Sequence, residues 1–363
     1  MDFILSNTLP LVDYLTGCRC SFALYRLPYA RACSLALQTS GGVPPAGGAD
    51  ELGSRPAFAM LPFDAGSAAM AVTVGADVCA TGAAAIDSAL RSVAPKPLPA
   101  RSLALPDGGT TTRSDYGRAF DTVMRHLQSG EVRKIVLSRR RTIRRQVSPA
   151  AMFERACRRY PRTMVYLCHT PEAGTWIGCS PEIILDGTEA GWHTVALAGT
   201  MTADEASHLV WSGKNIEEQA IVTEYLRGRI AGIGTIVTQS RPFTVRAGQL
   251  VHIKTEIAFA APGHSIADIV ATLHPTPAVC GLPREAALGI IGRAEGYDRS
   301  YYSGIVGPAG IDGQTHLYVN LRCARIGADA LTLYAGGGIL ATSDVEAEWH
   351  ETEEKMNTIL SII

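Results

Sequence analysis

Five short stretches of the chain hold residues that could do chemistry. Near the C-terminus, Glu348, Glu351 and Lys355 stand at i, i+3 and i+7, which places them on one face of a helix. A solvated charged face has the same spacing. The preceding AGGGILATSD is glycine-rich, however, and glycine lets backbone come close to a ligand. Carboxylates that follow such a turn could hold a hard cation, which takes oxygen ligands. Glu217 and Glu218 in GKNIEEQAIVTEYL read alone as the outer face of a long helix, but two such helices together could build a Mg²⁺ site. The segment HPTPAVCGLP (274–283) contains three prolines, so it is stiff and costs little entropy to fix. His274 precedes a proline and is biased toward extended backbone. In WIGCSPEIIL (176–185), Glu182 lies among apolar residues. If buried, its pKa rises and it could act as a general acid near neutrality; the alternative is plain outward alternation in a strand. In RKIVLSR (133–139), Lys134 opens an apolar run. It is either an edge charge or, if desolvated, an amine that can act as a base.

The elements that must position these residues follow from periodicity. Ser114 and Asp115 are N-cap candidates for a helix whose apolar face is Tyr116, Phe120, Val123, Met124 and Leu127, stopped by Gly130. A short strand over 134–138 follows, then a helix after Ser148. Strands are predicted at 163–169, 175–185 and 193–198, a long helix from about Lys214 to Ile230, and β-branched runs at 235–238 and 250–259. A helix spans Ser265 to Leu273, and Pro283 can open another that runs through Gly292. Strands at 303–309, 316–325 and 331–335 precede a last helix from Ser343 to Leu360, with Glu346 at capping-box spacing. Strands neighbouring strands and helices neighbouring helices point to α+β.

Bulk properties exclude several classes. The chain has 363 residues, 47% hydrophobic and 18% charged, so it is globular and long enough for a large core. With 33 basic and 34 acidic residues the net charge is −1, which gives no electrostatic reason to expect nucleic acid. The basic run Arg139-Arg140-Arg141 with Arg144-Arg145 reads as a solvated strand end or turn. The nine cysteines form no CxxC pair, which argues against a zinc ribbon or dithiol site and suits a reducing compartment. MDFILSNTLP lacks the basic start of a secretory signal, and no run of 18 apolar residues occurs. The expectation is a cytoplasmic protein with no membrane partner. Two Gly/Pro-rich stretches, 39–56 and 93–114, read as loops.

Taken in order, RKIVLSR, GCSPE, LAGT, HPTPAVCGLP, SGIVG, LRCARI, AGGGI and EAEWHETEEK resemble the chorismate-utilising enzyme family. The resemblance covers roughly residues 115–363, and 1–110 form a divergent N-terminal part of the same single domain. It implies two packed antiparallel-rich sheets flanked by helices, chorismate as substrate and Mg²⁺ as cofactor. It implies Glu218 and Glu351 as metal ligands with Glu348 in support, and His274 as the histidine near the ring. It further implies Tyr302 and Arg322 at the enolpyruvyl carboxylate, with Lys355 close by, and backbone contacts from Gly199, Thr200, Gly336 and Gly338. Water-using members carry a base at the position of Lys134. Aminodeoxychorismate synthases carry a nucleophilic lysine where this chain has Ala198. A lysine base without a lysine nucleophile favours hydration, hence an isomerase forming isochorismate for menaquinone or siderophore biosynthesis, with Glu182 as general acid. Salicylate synthase, anthranilate synthase large subunit and a non-catalytic chorismate-binding relative stay open as alternatives, as do monomer and homodimer. Gln219, Asn215 and Asn320 depart from residues common in relatives.

Overall fold

In the computed structural model, residues 9–18, 20–39, 52–64, 67, 69–92, 109–202, 210–247 and 250–363 are described. Most of the first Gly/Pro-rich stretch (40–51) and of the second (93–108) lies outside them.

Two large sheets, antiparallel throughout, organise the chain. The first comprises β1 (Ser21–Arg26), β2 (Ser34–Gln38), β5 (Val78–Thr81), β6 (Lys134–Arg144), β7 (Met164–Thr170), β8 (Gly174–Ser180), β14 (Gly281–Leu282), β17 (Cys323–Ile326) and β18 (Ala330–Ile339), in the order β14-β6-β18-β17-β8-β7-β1-β2-β5. The second comprises β3 (Ala57–Leu61), β4 (Val72–Gly75), β9 (Ile183–Thr188), β10 (Gly191–Thr202), β11 (Thr235–Gln239), β13 (Leu250–Ala260), β15 (Ile305–Ala309) and β16 (Thr315–Val319), in the order β11-β13-β10-β9-β16-β15-β3-β4, with β12 (Phe243–Ala247) also paired to β13. The N-terminal third therefore supplies edge strands to both sheets.

Between the sheets lies a core rich in aromatics, with Tyr25, Phe58, Tyr166, Trp176, Tyr302, Tyr318 and Tyr334 all buried. Facing sheets with interdigitated inner side chains form such a layer. On the outer face of the first sheet, α1 (Leu9–Leu15) and α4 (Pro149–Arg159) bury Val12, Leu15, Met152 and Phe153. The helices α5 (Gly213–Ala231) and α6 (Ile266–Leu273) cover the second sheet through Val222, Leu226, Ile269 and Leu273. A further cluster joins α3 (Arg113–Gln128) and α7 (Arg284–Glu295) to β6, through Tyr116, Val123, Ile135 and Ile290. The last helix, α8 (Val345–Leu360), packs on β18.

Several boundaries differ from the sequence expectation, each for a local reason. The cap of α3 is Thr112, whose hydroxyl accepts from Asp115 N while Asp115 accepts from Thr112 N, so Asp115 is the third helical residue and not the cap. The cap of α8 is Asp344; the Ser343 hydroxyl is engaged by Leu340 N instead. The strand at Lys134 runs to Arg144 because β18 pairs with it over ten residues. Arg139 is consequently buried and not solvated: its guanidinium lies 3.7 Å over the Trp349 ring and donates to Thr352 Oγ1. The run 175–185 is broken at Pro181-Glu182, where the chain leaves the first sheet as β8 and enters the second as β9. Proline has no N–H for the ladder. The run 316–325 breaks likewise at Asn320–Arg322, where Arg322 takes φ +48° and the chain returns from β16 to β17. All nine cysteines are free. No helix among the described residues is long and apolar enough to cross a membrane.

Candidate active site

The two sheet-switching breaks lie side by side, since Val319 N donates to Glu182 O and Cys179 N to Arg322 O. Both open onto one cavity of about 600 Å³, counting its mouth. The first sheet lines it with Val136, Tyr334, Ala335, Gly336 and Gly338, and the second with Leu197, Ala198, Gly199, Thr200 and His252. Glu218 enters from α5, Lys355 from α8, and Tyr302 from the turn before β15. Ten of the site residues read from the sequence thus meet here: Glu182, Ala198, Gly199, Thr200, Glu218, Tyr302, Arg322, Gly336, Gly338 and Lys355.

Glycines on β18 make the convergence possible. A Cβ on Gly338 would stand 2.0 Å from Glu218 Oε1 and 2.9 Å from Lys134 Cε; one on Gly337 would stand 2.8 Å from Glu348 Oε2 and 3.6 Å from Glu351 Oε1. The three distances below 3.0 Å are inside contact, so Gly337 and Gly338 are bare because side chains from α5, α8 and β6 occupy the space over them. Lys134 itself lies behind Gly338, fully buried, with Nζ 2.9 Å from Glu218 Oε1. That approach is off the hydrogen-bond direction, so Nζ has a carboxylate neighbour but no well-aligned acceptor. Glu348 pairs with Lys214, and Glu351 with Lys355 at 2.5 Å. Lys355 also donates to Gly336 O at 2.8 Å.

Electrostatics separates the acids. Glu182 is buried, and burial pushes its pKa up to about 8 against the pull of Lys134, Lys355 and Arg322. Glu218 is also buried, yet Lys134 and Lys214 outweigh that burial and hold its carboxyl below the usual range. Burial, then the neighbouring Glu351, push Glu348 upward. One carboxyl is therefore protonated near neutrality and another ionised within the same site, the pattern that assigns acid and anion roles.

The histidine in the cavity is His252, not His274. On β13, His252 Nδ1 lies 3.2 Å from Gly199 O and from Thr200 Oγ1, and its Nε2 lies 3.3 Å from Arg322 Nη2. These partners assign the proton to Nδ1 and leave Nε2 as acceptor. Burial, then Arg322 and Lys355, push its pKa well down, so the ring is neutral. His274 ends α6 and borders a separate apolar surface pocket with Leu61, Phe63 and Leu288. Burial lowers its pKa to about 4. The proline-rich segment serves the cavity through Ala278 and Val279 instead. Nothing in the sequence distinguishes His252 from any strand histidine, whereas prolines drew attention to His274. Lys214 was also missed, because a lysine in the first turn of a helix reads as surface.

The acidic corner offers the oxygen donors that a hard cation takes. Glu218, Glu348 and Glu351 lie over two consecutive glycines, and one buried oxygen there, Glu348 Oε2, has no hydrogen-bond partner. Among the described residues, no three acidic, histidine or cysteine side chains already enclose a metal position, each carboxylate being turned to a lysine.

Comparison with known proteins agrees with this geometry. Isochorismate synthase EntC of Escherichia coli K12 is 30% identical over 249 residues, covering 64% of this chain and 62% of its own length. The vibriobactin-specific isochorismate synthase of Vibrio cholerae is 32% identical over 198 residues, covering 51% of this chain and 50% of its own. The chain thus spans less than two thirds of these relatives. The structure of MenF, the menaquinone-specific isochorismate synthase from Escherichia coli, superposes with a TM-score of 0.76 at 21% identity, covering 97% of this chain and 90% of that one. The family model for chorismate binding enzymes matches residues 76–363, well over half of the 363, and the chain belongs to that family.

Proposed function

We propose that the protein is an isochorismate synthase, an isomerase that adds water to chorismate at C2 and releases the C4 hydroxyl. The single observation that carries this reading is a buried acid protonated near neutrality, Glu182, in the cavity wall, with Lys134 sealed behind Gly338 against Glu218, which lines the same cavity. Arg322, Tyr302, Thr200 and Lys355 supply donors for the two carboxylates of the substrate, and Arg322 is itself steadied by the neutral His252. Lys134 takes the proton of the attacking water, and Glu182 delivers one to the departing hydroxyl. Water is a poor nucleophile, so a positioned base matters more here than for an amine. Ala198 offers no nucleophile of its own. Glu218, Glu351 and Glu348 would hold Mg²⁺, which when bound neutralises the ring carboxylate and draws charge from the ring. We assign the product to menaquinone supply, in line with the menaquinone-specific structural neighbour; the vibriobactin-specific relative represents the siderophore alternative.

The test is chromatography of products from purified protein, chorismate and MgCl₂ without a nitrogen source. Isochorismate alone is expected, and Lys134→Ala should lower its formation by about 10²–10⁴-fold. Pyruvate with an aromatic product would instead assign salicylate synthesis. Turnover only on adding ammonia would assign the anthranilate class. Rescue of a menaquinone-deficient strain, and not of a siderophore-deficient one, checks the pathway.

A further inference from the structure

Three carboxylates meet three lysine side chains over Gly337 and Gly338: Glu218 with Lys134, Glu348 with Lys214, and Glu351 with Lys355. The lysines are not equivalent. The Lys134 side chain is 0% exposed and belongs to the first residue of β6. Lys355 is 14% exposed and has a second anchor in Gly336 O. Lys214 is 23% exposed, and among the described residues its hydrogen bond goes to Glu348 Oε1 alone. It also stands in the first turn of α5, which contains no acidic residue. Unpaired N–H groups already make that end positive, so the helix disfavours a cation there. The acidic corner is what holds it, through the ion pair with the buried Glu348.

We propose that Lys214 is a tethered counter-ion, occupying on Glu348 the place of a divalent cation and swinging into solvent when that cation binds. This rests on the metal reading given above. One Glu348 oxygen is engaged by Lys214 and the other has no partner. A dication on this carboxylate would share it with an ammonium, and like charges at such range repel strongly in a buried setting. Of the three lysines, Lys214 alone combines solvent access with a single tie, so it is the one that yields. In the metal-free protein it neutralises Glu348 beside Glu351, which removes the strain of two close carboxylates. Metal affinity is then set by competition with the protein's own ammonium group. A monovalent ion gains too little to displace it.

The sign of one substitution tests this. Methionine keeps the length of the stem and removes the charge. Titration of the full chain with MnCl₂ alone, followed by calorimetry and by the electron paramagnetic resonance of free Mn²⁺, should show Lys214→Met binding about tenfold tighter than the parent, a gain of about 1.4 kcal/mol. Lys214→Arg, which keeps the charge, should bind close to the parent, and Glu348→Gln at least about tenfold weaker. Metal-free Lys214→Met should melt below the parent and gain more from MnCl₂. A purely structural role for Lys214 predicts weaker binding on its loss. Equal or weaker binding by Lys214→Met, with Glu348→Gln and Glu351→Gln still damaging, overturns the counter-ion and leaves the metal site standing. Binding indifferent to Glu348→Gln and Glu351→Gln overturns the metal reading and the counter-ion with it.

Discussion

Replacing Glu182 by glutamine tests whether this residue is the proton donor. Glu182 is 4% exposed, and burial moves its pKa from 4.5 to about 8. At pH 7 a carboxyl with that pKa is roughly nine-tenths protonated, so the residue stands ready to give up a proton. The same shift ties it to stability. In the unfolded chain the carboxyl titrates at its ordinary value of 4.5, while in the folded chain it holds its proton to about 8. Between these values the folded state binds the extra proton, so stability must fall as pH rises and level off above the folded pKa. Each unit contributes about 1.4 kcal/mol, and the whole span is on the order of 5 kcal/mol. Glutamine keeps the shape and removes the titration. Between pH 6 and pH 9 the parent should therefore lose roughly 2–3 kcal/mol more stability than Glu182→Gln, read from urea unfolding at each pH. Isochorismate formation by the variant should drop about 10²–10⁴-fold, and the alkaline limb of the parent's pH–rate profile should be missing. A variant that keeps turnover within about tenfold and preserves that limb would refute Glu182 as donor. Parallel stability curves would refute its buried, protonated state.

Two further substitutions check the packing of the site. Gly338→Ala places a Cβ 2.0 Å from Glu218 Oε1, so it should cost about 1–3 kcal/mol by thermal unfolding and abolish turnover, since Glu218 must move. Glu295→Gln breaks the buried pair with Arg299, whose side chains are 1% and 2% exposed and whose guanidinium also donates to Val136 O and Val279 O beside the cavity. That change should cost about 3–5 kcal/mol in urea unfolding.

How far the sequence reveals the fold depends on whether a signal is local. Helix α6 was legible because Ser265 and Asp268 form their capping box within four residues. The long helix α5 was legible from its length, and the raised pKa of Glu182 from its apolar neighbours. The buried Arg139 was not legible, since its partner Trp349 lies some two hundred residues along the chain. Nor was His252: its strand, VHIKTEI, alternates like any other, and only the approach of Arg322 and Gly199 gives it a task. His274 shows the converse, a conspicuous context at a residue that borders a separate apolar pocket and not the cavity.

The two misread strands carry the site's logic. Continuous runs at 175–185 and 316–325 would have kept Glu182 and Arg322 within a regular ladder, alternating with their neighbours. Each run instead passes from one sheet to the other, and each reactive group sits at the passage, where the layers part enough to admit a ligand. Pro181 enforces the first passage by lacking a donor, and Ser180 Oγ steadies it by accepting from Glu182 N at 3.4 Å. Asn320 steadies the second: its side chain accepts from Tyr166 Oη at 2.7 Å and donates to Tyr301 O at 2.9 Å, all within the aromatic core. The departure at Asn320 thus has a structural reason, since an apolar residue there would leave the buried Tyr166 hydroxyl without its acceptor. Burial of Glu182 and the left-handed turn at Arg322 are consequences of one construction, in which the gap between sheets is opened by the strands that join them.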